Sequence, residues 1–240
     1  MEISIVDKWH SFMDNQGGGW RTYQDEEALR ARLRLDYQIS LSGWLAPVEC
    51  VSAVALYVLS LFPESADLLE KTALFLSNRR NYVNGSWKSY WWSSDIYATA
   101  FAVRAFRKID KFKEYAILGS EWLINQQNKN GYWSHSVKNQ SSPFYTALAC
   151  LALMEVDFNK YQKAIGTAMD WLLNNQTEDG SWSSGRILRI PSSDIFEIER
   201  VRKWRNSSFG VNILVDDHNR VFTTSTVVNT LDQFRKMLRQ

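Results

Sequence analysis

Two cysteines in 240 residues are too few for a disulfide framework. Cys50 and Cys150 both sit in small-residue apolar runs and read as core residues in a reducing interior. The Cys and His residues show no D-x-C or C-x-x-C spacing, so a three-ligand zinc site is not expected, and neither is any other metal or cofactor. A net charge of +2 and the lack of a basic stripe give no case for nucleic-acid binding. The longest apolar run, residues 50–62, is shorter than the roughly 18 residues that span a bilayer. The opening MEISIVDKWH lacks a basic n-region followed by an apolar h-region. A soluble cytoplasmic protein, with room for a peripheral membrane contact, is the expectation. No run of strand period and no low-complexity linker stand out.

Aromatic residues, in contrast, are plentiful: 11 Trp, 10 Tyr and 12 Phe. Many of the indoles belong to a repeat. W-L-I-N-Q-Q-N-K-N-G-Y-W runs from Trp122 to Trp133, and W-L-L-N-N-Q-T-E-D-G-S-W from Trp171 to Trp182. A looser copy runs from Trp9 to Trp20, with Gly18 in step, and a degenerate one ends at Asn84-Gly85-Ser86-Trp87. In each unit an amphipathic helix stops at a Gly that can adopt the left-handed conformation. The Gln (127, 176) can bond open backbone groups at the helix end, and the Trp can pack over the turn. These are read as fold-building residues.

A slimmer, more apolar helix follows each turn, over residues 48–61, 96–106, 144–154 and 222–231. Polar outer helices alternating with apolar inner ones predict an all-α fold, a single α/α toroid over residues 1–240. The insert at 183–220 interrupts the repeat and is expected to cover one end of the barrel. Its Arg186 and Arg189 are candidates to grip an anionic head group.

The stretch SYWWSSDIYATAFAVRAF, residues 89–106, carries the candidate chemistry. Registering the inner helices on Ser52, Thr99, Thr146 and Thr226 places Val48, Asp95, Ser142 and Phe222 at one equivalent position. Only one of the four is an acid. Asp95 is therefore read as functional, with helix capping as the alternative.

These residues resemble a family. The Q-x3-G-x-W pattern at 127–133 and 176–182 is similar to the QW repeats of squalene–hopene cyclases and other class II terpene cyclases. Asp95-Ile96-Tyr97-Ala98-Thr99-Ala100 looks like a reduced D-x-D-D-T-A motif, with Tyr97 and Ala98 at the second and third aspartate positions. In the family the middle aspartate is the usual proton donor. The short chain resembles the single-domain cyclases of prenylated aromatic (meroterpenoid) substrates.

The resemblance implies protonation-initiated cyclisation of a polyprenyl chain, attached to a hydroxybenzoate-type head group, with Asp95 as general acid. Burial among indoles would keep its proton on. His135 or Tyr145 would assist the acid, and Glu49 is the next acid to consider. Trp44, Trp91, Trp92, Tyr97, Phe144 and Phe222 would line the cavity and stabilise cations; core packing is the competing reading for each. Rival functions are a non-catalytic isoprenoid-binding toroid and a prenyltransferase β-subunit-like protein. A glycan-processing toroid would need two facing carboxylates. Asp216-Asp217-His218-Asn219-Arg220 lacks the carboxylate spacing of magnesium-dependent terpene chemistry.

Overall fold

The computed structural model describes residues 9–14, 16–62, 65–135 and 140–239. Within them the helices are α1 (Glu26–Leu33), α2 (Glu49–Leu59), α3 (Ala66–Arg79), α4 (Ile96–Phe106), α5 (Lys113–Asn125), α6 (Pro143–Asn174) and α7 (Val221–Met237). Helix α6 is two predicted helices run together. Asp157 breaks it with non-helical torsions (φ −161°, ψ 94°), and its carboxylate restarts the second half by accepting from Lys160 N at 2.9 Å.

The inner row is α2, α4, the first half of α6, and α7, each packed on the next. Outer helices α3, α5 and the second half of α6 back it. This is the α/α toroid architecture, drawn here as an arc whose two ends are α2 and α7. Ala98, Ala100, Ala102 and Ala105 are wholly buried. Small side chains let α4 sit between two inner neighbours and an outer helix, as its alanine content predicts.

The repeat does what its residues imply. Gly18, Gly85, Gly131 and Gly180 all take positive φ, between 75° and 92°. Gln127 Nε2 donates to Gly131 O at 2.9 Å and Gln176 Nε2 to Gly180 O at 2.8 Å. The indole N–H of Trp87, Trp133 and Trp182 donates to a carbonyl of the preceding outer helix, at 2.7 Å in each case. The registering hydroxyls have their own role. Ser52, Thr99 and Thr146 each accept the backbone N–H of the repeat Trp, at 2.8, 3.1 and 3.0 Å. Each turn is thereby tied to the inner helix that follows it.

The insert corrects the all-helical expectation locally. It forms a small sheet, ordered β1 (Leu188–Ile190), β3 (Ile213–Val215), β2 (Arg205–Asn206). Its edge reaches the aromatic stretch: Ser93 N donates to Ile187 O and Arg189 N to Trp91 O, both at 2.9 Å. The strands form because this loop finds an extended partner in residues 91–93, a pairing that no local periodicity announces. The insert also lies over α2's entry, with the Trp44 indole N–H on Pro191 O and the Tyr90 hydroxyl on Ile195 O.

Candidate active site

The start of α4 faces two separate spaces. One is a mainly apolar groove of about 360 Å³, lined by Trp92, Tyr97, Cys50, Val51, Val54, Ala55 and Val58 together with Trp9, Phe12, Trp20 and Arg21. The other is a polar cavity of about 590 Å³ beneath the insert, lined by Asp95, His135, Gln126, Gln127, Arg189, Glu199 and Trp204 among others.

Aromatic stacking builds the groove. Trp92 lies flat on Tyr97, with ring centroids 3.8 Å apart and planes 9° apart. Phe144 stacks on the same indole at 5.3 Å, and Phe222 meets it edge-on at 6.0 Å. Trp92, Tyr97, Phe144 and Phe222 therefore form one cluster of rings, of which Trp92 and Tyr97 line the groove. Trp44 and Trp91 do not join them. They cluster with Tyr23 and with each other, at 6.1–6.3 Å, and their indole N–H groups are bound to Pro191 O and Thr22 Oγ1. The reason is alternation: residues 91–93 are extended against β1, so neighbouring side chains leave on opposite faces.

Asp95 is not a helix cap. Its backbone is already helical (φ −68°, ψ −10°), and its side chain caps no N–H of α4. Ser142, the register-equivalent residue, does cap its helix by accepting from Tyr145 N at 3.3 Å. Asp95 Oδ1 instead accepts from Ser89 N at 2.9 Å, while Ser89 Oγ accepts from Ala98 N at 3.2 Å. Burial raises the Asp95 pKa; the Ser89 N–H, Arg189 and Lys88 pull it back only in part. The proton is thus held more tightly than on an ordinary aspartate. The carboxyl, however, borders the polar cavity, and the residue lining the groove at this turn is Tyr97.

Glu49, at the start of α2, is close enough to Asp95 to feel its charge. Burial raises its pKa, and Arg79, 4.0 Å away, acts in the opposite sense.

The two residues expected to assist the acid are engaged elsewhere. Ser93 Oγ lies 3.4 Å from His135 Nδ1 and 3.1 Å from the Tyr145 hydroxyl, which donates to Ile187 O at 2.8 Å. Neither residue bonds Asp95. Burial, with Arg186 second, pushes His135 down to about 4, so its ring is neutral at physiological pH. The expected acid partnership is replaced by a network that docks strand β1.

The arginines of the insert are likewise committed. Arg189 donates from Nε to Tyr90 O at 3.2 Å and from Nη2 to Ser89 O, with its guanidinium 5.7 Å from the Trp204 ring. Arg186 faces Asp216 at 3.9 Å. Arg189 holds the loop that precedes Asp95, which the composition of the insert alone does not announce.

Sequence reasoning passed over Phe101, Tyr57 and Arg104. All three extend the ring contacts of Tyr97 along the inner helices, with Tyr97–Phe101 centroids 4.9 Å apart, Phe101–Tyr57 6.0 Å, and the Arg104 guanidinium 4.3 Å from the Tyr57 centroid. The signal was present: Tyr97, Phe101 and Arg104 stand at i, i+4 and i+7.

Comparison with known proteins places this geometry. No curated protein sequence matches significantly. Among solved structures, the type II terpene cyclase MstE from Scytonema is 27% identical, with a TM-score of 0.82 over 95% of this chain and 66% of that one. A variant of MstE in complex with its substrate, geranylgeranyl dihydroxybenzoate, is 26% identical, with a TM-score of 0.83 over 98% and 68%. A protein from Actinoplanes, 23% identical, shares the fold with a TM-score of 0.83 over 94% and 66%. The chain thus spans about two thirds of the length of the structures it matches. The squalene-hopene cyclase C-terminal domain family matches residues 2–189, most of the chain, and this protein belongs to that family.

Proposed function

We propose that the protein is a class II terpene cyclase that folds a polyprenyl chain, carried on a hydroxybenzoate-type head group, along the groove of Trp92 and Tyr97, with Phe144 backing the indole. The observation that carries this reading is the stacked aromatic groove on the inner helices of a cyclase-family toroid. Aromatic faces attract a desolvated cation by about 0.5–2 kcal/mol each and offer it no nucleophile. The MstE complex with geranylgeranyl dihydroxybenzoate supports the substrate class.

In this reading Asp95 is the general acid. Its raised pKa favours the neutral carboxyl, the form that can give a proton to an alkene. The proton adds to one alkene carbon, the cation passes along the chain as each double bond attacks it, and loss of a proton leaves an isomer of the substrate.

One observation favours a second reading, an isoprenoid-binding toroid without catalysis. The Asp95 carboxyl accepts the Ser89 N–H and borders the polar cavity, and Tyr97 occupies the groove where the resemblance places the donor aspartate.

Incubation with geranylgeranyl dihydroxybenzoate, without added metal, separates the two. Mass spectrometry and NMR should show an isomeric cyclised product from wild type and none from Asp95→Asn. Equal cyclisation by Asp95→Asn would remove Asp95 as the acid and turn attention to Glu49. Tight binding with no product from wild type would establish the binding reading.

A further inference from the structure

From Tyr97 the ring contacts pass through Phe101 to Tyr57 and end on a buried charge, Arg104. Tyr97, Phe101 and Arg104 share one face of α4, because steps of four and three residues return to nearly the same direction on a helix. Arg104 is only 9% exposed. Its Nε and Nη2 both bond Glu155 Oε1 on α6, at 2.8 and 2.6 Å, and Nη2 also donates to the Tyr57 hydroxyl on α2 at 2.8 Å. The guanidinium lies 4.3 Å from the Tyr57 ring centroid. Three consecutive inner helices therefore converge on one side chain.

That side chain is not fully used. Nη1 makes no hydrogen bond to the described residues, yet it is not among the polar atoms sealed from solvent without a partner. The Tyr57 hydroxyl accepts from Arg104 and keeps its own proton to donate. Donors thus remain at the end of an apolar stripe, on a guanidinium that is already largely desolvated. Nη1 is still reached by solvent and so is free to bond a ligand, for which a carboxylate oxygen is its strongest partner; the buried atom without a partner in this cluster is Glu155 Oε2.

We propose that Arg104 and Tyr57 form the head-group subsite of this groove. The ligand lies with its hydrocarbon tail against Trp92 and Tyr97, and its acidic aromatic head docks on Arg104 Nη1 and the Tyr57 hydroxyl. The subsite rests on the isoprenoid-binding part of the proposed function and holds whether or not the chain is catalytic. From Tyr97 to Arg104 is seven residues of helix, about 10 Å, which sets how much tail lies between the aromatic stack and the head. Glu155 has a defined part: its carboxylate offsets the guanidinium charge and so tempers affinity for an anion.

The arrangement predicts opposite effects from its two charged members. The probes are geranylgeranyl dihydroxybenzoate and its methyl ester, which share the tail and ring but differ in the carboxylate, titrated calorimetrically. Arg104→Met should weaken the acid by about tenfold and leave the ester nearly unchanged. Glu155→Gln should tighten the acid severalfold, and it remains a test if Arg104→Met does not fold. Weakening of acid and ester alike, or loss of acid binding in both variants, would mean that the pair only braces the helices and would overturn the subsite. If wild type binds the ester but not the acid, the subsite fails while the isoprenoid reading stands. If it binds neither probe, both fail.

Discussion

Asp95 and Tyr97 stand two residues apart on the first turn of α4 and serve different spaces. Asp95 accepts from Ser89 N on the polar side, and Tyr97 stacks on Trp92 at 3.8 Å in the apolar groove. A helix turns by about 100° per residue, so two residues separate the directions by about 200°. Substitutions at Tyr97 and at Asp95 therefore perturb the apolar groove and the polar cavity separately.

The two aromatic clusters should part in the same way. Trp92→Ala removes the ring on which Tyr97 and Phe144 stack, and should weaken isoprenoid binding by about tenfold or more. Trp44→Ala should leave that affinity within about threefold while lowering stability by about 3–5 kcal/mol, because Trp44 is a buried residue under the insert. Calorimetric titration and urea unfolding of both variants check this. Equal effects on binding would mean that the clusters form one site.

Asp95 also makes a pH prediction. Its folded pKa is raised, so the native state holds the proton more firmly than the unfolded chain does. This contribution to stability is full below the ordinary carboxylate pKa and is lost as pH rises through the higher folded value. Asp95→Asn keeps the acceptor for Ser89 N and removes the charge. Its melting temperature should gain on wild type as pH rises from 4 to 8. A gain that shrinks over that range would show the carboxylate to be stabilised by Arg189 and Lys88 instead.

Arg189 is expected to act on stability. Arg189→Met strips the donors from Ser89 O and Tyr90 O, and should cost about 2–4 kcal/mol in chemical denaturation. It should also speed proteolysis within the insert. Unchanged stability would return Arg189 to the pool of ligand-binding residues.

The registering hydroxyls offer a test of the repeat. Thr146→Val is nearly isosteric and leaves Trp133 N without its acceptor, a loss of about 1–3 kcal/mol. Thr99→Val should behave alike at Trp87 N. Activity per folded molecule should be unchanged in both.

What the sequence by itself determined is the frame. The positive φ of Gly131 and Gly180, the reach of Gln127 and Gln176 to their turns, and the slim inner helix 96–106 all follow from local rules of helix termination and periodicity. The contact of Tyr97 and Phe144 with one indole was legible for the same reason, since both stand in the first turns of inner helices that the repeat had already located. Tertiary structure alone decided which side of the turn Asp95 serves, that Trp91 and Trp92 part company, and that Arg189 is consumed by Ser89 and Tyr90. These outcomes depend on the pairing of residues 91–93 with β1, about a hundred positions away in the chain. A contact of that separation is selected by the closing of the whole fold, and no local pattern around Asp95 encodes it.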